Sequence, residues 1–353
     1  MDVISVVGAR PQFVKLAPME RAFLNVGAAH RTIHTGQHYD HAMSEGFFET
    51  LGIEPPTWNL GVGSGNHGAQ TGAMLDEIEK VLIDADPDCV VVYGDTNSTL
   101  AAAIAAVKLH LPVAHLEAGL RSFNRRMPEE HNRVLTDHAA DLLLAPTEVA
   151  ASHLAEEGLA DRTVVVGDVM VDVLLEAAER SVGIDIGWPD GIADAPYVLA
   201  TIHRAENTDD PHRLASIIDA LAGLDLPVVL PVHPRVRALA ADRGLELASG
   251  SLVPVEPLDY DRMIAAVRGA TAVATDSGGL QKEAFVLGTP TTTIRTETEW
   301  VETLVDGWNV LSPAVEDISA NITRPTPTAD RGTPYGSGLA AVTAAAAVLE
   351  RYA

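Results

Sequence analysis

The chain has 353 residues, of which 47% are hydrophobic and 21% are charged, and its formal net charge at pH 7 is −25. This length exceeds what one hydrophobic core usually supports, so we expect two domains. The acidic charge disfavours nucleic acid and anionic membranes as partners, and no apolar run reaches the roughly 18 residues of a membrane span.

Strand-like apolar runs alternate with helical stretches along the whole chain. Continuous apolar runs such as 89–93 are typical of parallel strands covered on both faces, so the alternation predicts an α/β fold with two doubly wound sheets. The predicted strands are 2–8, 30–35, 88–93, 112–116, 141–145 and 163–167, then 196–202, 226–232, 251–255, 271–275 and 290–294. The predicted helices include 68–84, 97–109, 147–158, 210–223 and 277–287.

A stretch rich in Gly, Asp and Pro at 182–196 separates the two series of strands and predicts an interdomain connection. We therefore expect an N-terminal Rossmann-like domain over 1–180 and a C-terminal one over 181–337. An alanine-rich helix is predicted at 338–352. The first residues read as a core strand and lack the basic start of a signal peptide, which predicts a cytoplasmic protein.

The charge composition also bears on the environment of the protein. Only four basic residues are lysines, whereas Asp and Glu number 49. Dispersed acid with scarce lysine predicts adaptation to high salt, where the Debye length falls to about 3 Å near 1 M and self-repulsion is screened.

Ligands of open α/β sheets bind at the carboxyl ends of the strands, so residues just after each strand are the candidate site. After the first strand, a tight turn presents Arg10, with Lys15 about one helical turn further on, and we expect Arg10 to contact a phosphate. Asp95 follows the strand at 88–93, where taken alone it favours a helix N-cap.

Two further carboxylates follow in the first half. Glu117 comes directly after the strand at 112–116, and Glu129 shares a helix face with Arg133 at i,i+4. Asp95, Glu117 and Glu129 are therefore predicted to gather near the rim of one sheet. Crowded carboxylates can push their pKa values apart, which provides an acid and a base from one residue type.

The second half offers a phosphate site. Ser277, Gly278 and Gly279 open a predicted helix, where small residues let backbone N–H groups approach a phosphate at the positive end of the helix dipole. Glu283 lies one turn further on and could accept hydrogen bonds from ribose hydroxyls. His203 and His233 follow two strands and suit diphosphate oxygens, although a structural capping role stays open for both.

Other chemistries find little support. His38 and His41 flank Asp40, but no third ligand stands out and no cysteine ligand is available, so we expect no metal. A Gly-x-Ser-x-Gly elbow is absent from the sequence, which argues against a serine hydrolase.

Seven motifs, in this order along the chain, resemble the non-hydrolysing UDP-N-acetylglucosamine 2-epimerases. They are Gly8-Ala9-Arg10-Pro11, Gly94-Asp95-Thr96, His115-Leu116-Glu117-Ala118-Gly119-Leu120-Arg121, Pro128-Glu129-Glu130-His131-Asn132-Arg133, His203-Arg204, Pro231-Val232-His233-Pro234 and Thr275-Asp276-Ser277-Gly278-Gly279. The resemblance implies a glycosyltransferase-B-type fold with two Rossmann-like domains facing a cleft and the last helix packing back onto the first domain. It also implies a homodimer, a UDP-sugar substrate, no cofactor and a role in polysaccharide biosynthesis.

The resemblance further implies a role for each candidate residue. The acid/base carboxylates fall on Asp95, Glu117 and Glu129, and the ribose ligand falls on Glu283. Diphosphate contacts fall on Arg10, His203, Ser277 and Gly278, beside Gly279. Lys15, Arg133 and His233 match other active-site positions. The implied reaction expels UDP to leave 2-acetamidoglucal, then adds UDP back with the opposite configuration at C2; His203 is expected to assist it.

Departures from the family pattern leave alternatives open. Trp300 stands where many UDP-N-acetylglucosamine enzymes have Arg, and Gln12 stands where they often have Glu. The Trp form also resembles the branch that acts on UDP-2,3-diacetamido-2,3-dideoxyglucuronate. Tyr39 replaces the Arg of a motif found in substrate-activated bacterial enzymes, which argues against that regulation. A glycosyltransferase of the same fold and a silent nucleotide-sugar-binding protein are the remaining alternatives.

Overall fold

A computed structural model of the chain describes residues 1–37, 52–189, 191–192 and 195–353. Two compact units make up the chain. The first comprises Met1–Val173 with Pro334–Ala353, and the second comprises Leu174–Thr333. The division lies within the helix Val169–Arg180, a few residues before the stretch 182–196 that the sequence favours.

The first unit contains a parallel sheet of seven strands in the order β3-β2-β1-β4-β5-β6-β7. Its strands are β1 (Asp2–Val7), β2 (Ala29–His34), β3 (Trp58–Asn59), β4 (Cys89–Tyr93), β5 (Val113–Leu116), β6 (Leu142–Ala145) and β7 (Thr163–Val165). Its helices are α1 (Arg10–Asn25), α2 (His67–Ala85), α3 (Asn97–Lys108), α4 (Pro128–Ala139), α5 (Glu148–Glu156) and α6 (Val169–Arg180), the last of which continues into the second unit.

The central strands of this sheet are buried on both faces because apolar residues point to both sides, and the polar residues among them, Ser5 and His115, are themselves buried. Val3 and Val91 belong to the core under one face, whereas Ile4 and Val92 belong to the core under the other. This is the arrangement that continuous apolar runs favour in parallel sheets. It fixes the positions of β1 and β4 side by side.

The second unit contains a parallel sheet of six strands in the order β10-β9-β8-β11-β12-β13. Its strands are β8 (Val198–Thr201), β9 (Val228–Pro231), β10 (Leu252–Val255), β11 (Ala272–Thr275), β12 (Thr291–Thr293) and β13 (Asn309–Leu311). Its helices are α7 (Ala205–Thr208), α8 (Pro211–Ala222), α9 (Pro234–Arg243), α10 (Tyr260–Gly269), α11 (Gly278–Leu287) and α12 (Ile318–Ile322). Short 3-10 segments occur at Ala160–Arg162, Val301–Gly307 and Val315–Asp317.

The terminal helix α13 (Ala340–Tyr352) belongs to the first unit. Ala344, Ala345 and Val348 are fully buried in the core that includes Leu16 and Phe23 of α1. Small alanine side chains let the two helices approach closely. None of the described helices is both long and apolar enough to cross a membrane.

In each sheet the strand order reverses at one point, between β1 and β4 and between β8 and β11. Ligands of open α/β sheets bind outside the carboxyl ends of the strands at such points. Arg10, Asp95, His203 and Ser277 come after these four strands.

Candidate active site

Two ion pairs lie at the carboxyl ends of β1, β4 and β5 in the first unit. Lys15 of α1 pairs with Glu117, which directly follows β5. Arg133 of α4 pairs with Asp95, which lies just beyond β4, at 2.6 Å between Nη2 and Oδ2. The first unit therefore gathers two carboxylates, each with its own cation, at one edge of one sheet.

Glu117 adopts a backbone conformation that is unusual for a residue with a side chain, with φ of 73°. Gly94 faces it from the turn after β4, and its own φ is 61°. A Cβ at position 94 would come within 3.1 Å of the Glu117 Oε2 atom. Glycine at this position thus leaves room for the carboxylate, and the strained φ of Glu117 is the kind of cost that binding and catalytic residues commonly carry.

Lys15 is only 8% exposed. Burial by itself lowers the pKa of its amine, but attraction to Glu117, with smaller contributions from Asp168 and Asp95, outweighs burial and raises it. Lys15 is therefore a cation at neutral pH. The side chain of its partner Glu117 is 16% exposed.

Asp95 does not cap helix α3, contrary to what its position alone favours. The N-cap is the next residue, Thr96, whose side chain accepts a hydrogen bond from the backbone N–H of Thr99. The carboxylate of Asp95 is thereby available to Arg133, while Asn132 donates to the Asp95 carbonyl at 2.9 Å. A hydroxyl suits the cap as well as a carboxylate does, which explains the difference.

Arg133 forms its second ion pair with Glu130, at 3.1 Å, while Glu129 is exposed on the first turn of α4. Glu130 is 5% exposed and accepts hydrogen bonds from the backbone N–H groups of Ser122 and Phe123. Burial opposes ionisation of Glu130, but these donors outweigh it and lower its pKa. No role was predicted for Glu130, although it stands inside the motif that contains Glu129.

The turn after β1 is organised by Gln12. Its side-chain oxygen accepts from the backbone N–H groups of Gly8 and Ala9, and its amide donates to the Tyr93 carbonyl at 2.7 Å. A carboxylate could accept from Gly8 and Ala9 but could not donate to Tyr93, so the two contacts together require an amide. Arg10 is exposed at the first position of α1.

In the second unit, the rings of His203 and His233 stack with centroids 5.6 Å apart. His233 is the N-cap of α9, because its Nδ1 accepts from the backbone N–H of Arg235 at 3.2 Å. The capping role that the sequence left open for His233 is therefore present, and it does not remove the side chain from the cavity described below. His203 instead places its Nδ1 3.2 Å from Oδ1 of Asp276.

Asp276 is fully buried and fixes the loop after β8. Its carboxylate accepts from the backbone N–H groups of His203 and Arg204 and from the side chain of Asn207. The sequence pointed to the string that contains Asp276 but not to this contact. The residues that it contacts, His203 and Arg204, lie 73 and 72 residues earlier in the chain, so no local sequence pattern indicates the contact.

Helix α11 begins as the sequence predicts, with Ser277 as its N-cap accepting from Leu280. Gly278 and Gly279 are its first two residues. A Cβ at Gly278 would lie 2.5 Å from Oε1 of Glu299, whereas one at Gly279 would meet nothing within 4 Å. A side chain at 278 would therefore displace the Glu299 carboxylate, while Gly279 leaves the helix N-terminus open to an approaching group.

A cavity of about 350 Å³ lies beside this helix terminus. Glu283 lines it, and burial raises the pKa of that carboxyl group. Tyr260 Oη donates to Glu283 Oε1 at 3.0 Å. The lining combines polar groups with apolar walls, as ligand sites usually do; it includes Thr201, His203, His233, Pro257, Leu258, Met263, Ser277, Gly279 and Glu283.

Within the described ranges, no group of three or more His, Cys, Asp or Glu side chains is placed to hold a metal ion. His38, Asp40, His41 and Tyr39 lie outside the described residues, so the structure does not bear on the inferences drawn from them.

Comparison with known proteins identifies the family of the chain. The sequence model of the family described as UDP-N-acetylglucosamine 2-epimerase matches residues 25–349. The chain is 48% identical over 351 residues to the UDP-2,3-diacetamido-2,3-dideoxy-D-glucuronate 2-epimerase of Pseudomonas aeruginosa, covering 96% of this chain and 97% of that protein. It is 42% identical over 322 residues to the UDP-N-acetylglucosamine 2-epimerase of Methanocaldococcus jannaschii, covering 88% of each.

Solved structures agree. The structure of UDP-GlcNAc 2-epimerase from M. jannaschii matches with a TM-score of 0.84 and 38% identity, covering 99% of this chain and all of that one. A crystal structure of the same enzyme in complex with UDP-GlcNAc and UDP matches with a TM-score of 0.81 and 37% identity, with the same coverage. The predicted fold of two parallel α/β sheets and the resemblance are both confirmed, and the chain belongs to the UDP-N-acetylglucosamine 2-epimerase family.

Proposed function

We propose that this protein interconverts UDP-N-acetylglucosamine and UDP-N-acetylmannosamine by eliminating UDP and adding it back through 2-acetamidoglucal. The observation that carries the proposal is the pair of cation-partnered carboxylates, Glu117 with Lys15 and Asp95 with Arg133, at one sheet edge. Binding a diphosphate would favour fewer negative charges there, so retained carboxylates indicate proton transfer rather than binding alone.

The chemistry explains why several carboxylates are needed. The C2 proton of a hexosamine lies beside the anomeric carbon and not beside a carbonyl, so direct deprotonation is very hard. Once the bond to UDP breaks, a base can take the C2 proton and an acid can return one to the other face. Glu117, Asp95 and Glu129 are the proposed acid/base groups, and Glu117 is the proposed base that takes the C2 proton.

The leaving diphosphate carries charge that must be stabilised. We assign this to the N-terminus of α11 at Ser277, Gly278 and Gly279, where the helix dipole favours an anion. Arg10 and His203 add donors to the diphosphate, with Asp276 orienting the His203 ring. Glu283 would accept hydrogen bonds from the ribose hydroxyls, and His233 lines the same cavity.

A second substrate is favoured by a separate observation. The 48% identity is with an enzyme named for UDP-2,3-diacetamido-2,3-dideoxy-D-glucuronate. This chain also has Trp300 where many UDP-N-acetylglucosamine enzymes have Arg, and Lys282 places its Nζ 4.0 Å from the centre of the Trp300 ring. A sugar bearing a carboxylate needs an additional cation, and Lys282 is a candidate for it.

One experiment tests the reaction and separates the substrates. The protein is incubated with each UDP-sugar in D₂O containing molar KCl, and proton NMR follows C2. Inversion with deuterium at C2 of UDP-N-acetylglucosamine is the expected result. Inversion of the diacetamido sugar alone would transfer the assignment to that substrate. Free sugar with released UDP, or no exchange with either sugar, would contradict epimerisation.

We further propose that the protein is a homodimer that works in the cytoplasm at high salt and supplies polysaccharide biosynthesis. The net charge of −25 supports the high-salt part, since salt screens self-repulsion. The melting temperature should rise between dilute buffer and molar KCl, and light scattering in KCl should give twice the chain mass. A melting temperature that does not rise, or a monomer, would contradict the corresponding part.

A further inference from the structure

The mechanism above leaves one buried charged cluster of the first unit unexplained. His115 of β5, Asp137 of α4 and Arg121 lie together beneath the loops that carry Asp95 and Glu117, and their side chains are between 0% and 1% exposed. Buried charges are costly unless they are paired and hydrogen-bonded. The contacts of this cluster must therefore offset the cost of burying its charges.

The contacts of His115 indicate which of its ring nitrogens carry a hydrogen. The Nε2 atom of His115 lies 2.7 Å from the Gly94 carbonyl oxygen, which can only accept, so Nε2 carries a hydrogen. Its Nδ1 lies 2.6 Å from Oδ1 of Asp137. The other oxygen of Asp137 accepts from Arg121 at 2.7 Å and from the Gly119 N–H at 3.1 Å.

Because one oxygen of Asp137 accepts from the cationic Arg121 and from the Gly119 amide, the ionised form of this carboxylate is favoured. Burial opposes ionisation of Asp137, but His115 and Arg121 outweigh it and lower the pKa of that carboxyl group. With Asp137 an anion, Nδ1 of His115 must donate as well. Arg121 in turn forms a double hydrogen bond with Glu157, at 2.7 and 2.9 Å, so two anions balance two cations.

The positions of these bonds are informative. Gly94 directly precedes Asp95 and faces Glu117, and Gly119 follows Glu117 by two residues. One end of the cluster thus holds the turn after β4, and the other holds the turn after β5. Because the Glu117 backbone has an unfavourable φ of 73°, something must keep that turn in place.

We propose that His115 donates from both ring nitrogens and acts as a positioning residue, holding the Gly94 carbonyl on one side and Asp137 on the other so that the Asp95 and Glu117 carboxylates keep their spacing. It does not touch the substrate. Its effect on turnover rests on the function proposed above, whereas its protonation state does not.

The first test reads the protonation state directly. In protein labelled with ¹⁵N at histidine, both ring nitrogens of His115 should bear a hydrogen at pH 7, with the signals assigned by their loss in His115→Gln. A ring nitrogen with a free lone pair at pH 7 would overturn donation from both nitrogens. This measurement needs no substrate, so it stands even if the protein epimerises neither sugar.

The second test uses two amides that each keep one half of the contact. In His115→Gln the amide nitrogen replaces Nε2 and can still donate to Gly94, while in His115→Asn it replaces Nδ1 and can donate only to Asp137. Both variants are neutral and polar, so they should lose similar stability. We expect kcat to fall about 100-fold in His115→Asn, as for a displacement of about 1 Å. In His115→Gln the fall in kcat should be at least ten times smaller. KM should stay within about threefold of wild type in both variants.

Asp141→Asn is the matched control, because Asp141, like Asp137, accepts from a backbone N–H, in this case that of Val113 at the opposite end of β5. It should leave kcat unchanged. Equal kcat values in His115→Asn and His115→Gln, at melting temperatures that differ little, would overturn the positioning role.

Discussion

Replacing Glu117 by Gln tests the proposed base with the least change of shape. Glutamine keeps the size of the side chain and can still accept a hydrogen bond from Lys15, but it cannot take up a proton. Gly94 has no Cβ to crowd the new amide, so the local backbone should be preserved. The substitution therefore removes the chemistry while the geometry stays.

The size of the loss can be bounded. A positioned general base contributes about 10²–10⁴ in rate, which corresponds to roughly 3–5 kcal/mol of barrier. We therefore expect kcat to fall at least 100-fold. The affinity for UDP should change no more than a few-fold, because the proposed UDP ligands Ser277 and Glu283 are on the second unit.

A separate effect on stability must be distinguished from the effect on rate. Glu117 provides the main attraction that keeps buried Lys15 charged, and removing one partner of a buried ion pair costs about 3–5 kcal/mol of stability. The double variant Lys15→Met with Glu117→Gln removes the unpaired cation. It should recover much of the free energy of unfolding, measured in urea, without recovering turnover.

The assay combines kcat and KM for the sugar that the wild type epimerises with UDP affinity by calorimetry. Turnover of Glu117→Gln within tenfold of wild type would refute the assignment of the base. Recovery of turnover in the double variant would show that the single variant failed through instability.

Three further predictions concern the remaining parts of the structure. Burial lowers the pKa of His34 to about 4, below the value near 6.5 of an unfolded chain, so the unfolded state binds more protons between these values. Stability should fall by about 2 kcal/mol from pH 7 to 5 through this residue, and His34→Gln should remove that part of the loss in urea titrations at both pH values. Gly278→Ala should melt at a lower temperature than Gly279→Ala, because its Cβ displaces the Glu299 carboxylate that pairs with Arg295, while Gly279→Ala should be neutral or slightly stabilising; melting temperatures that rank the other way would contradict the geometry. Tyr260→Phe should weaken UDP binding about fivefold by removing a hydrogen bond of about 1 kcal/mol to Glu283, and calorimetry that finds no change would exclude this contact from the ribose site.

Sequence patterning predicted the sheets well where a strand is long enough to carry a pattern. The strands at 88–93 and 271–275 are continuous apolar runs, and they form β4 and β11. The strands β3 and β13 were not predicted, because two and three residues at the end of a sheet leave no periodicity to detect. The helix cap at Thr96 was assigned to Asp95 for a similar reason, since two suitable acceptors stand side by side.

The sequence analysis predicted the candidate site as a set of residues at strand ends. It did not predict the contacts that hold those residues in place. Three buried carboxylates perform this task, each by accepting backbone N–H groups of a loop. Asp137 holds Gly119, Glu130 holds Ser122 and Phe123, and Asp276 holds His203 and Arg204.

None of these three carboxylates could be identified from its local pattern. Asp137 and Glu130 lie on a helix whose sequence reads as a charged surface, and Asp276 is separated from its loop by more than 70 residues. A buried carboxylate is costly unless donors surround it, so each is stable only because the loop that it fixes supplies the donors. Loop and anion therefore depend on each other, which predicts that Asp276→Asn should alter the loop after β8 before it alters the sheet: hydrogen exchange at His203 and Arg204 should accelerate at least tenfold while exchange in β8 stays unchanged. Equal acceleration in both would mean that Asp276 stabilises the whole unit and not the loop that carries the proposed diphosphate ligand.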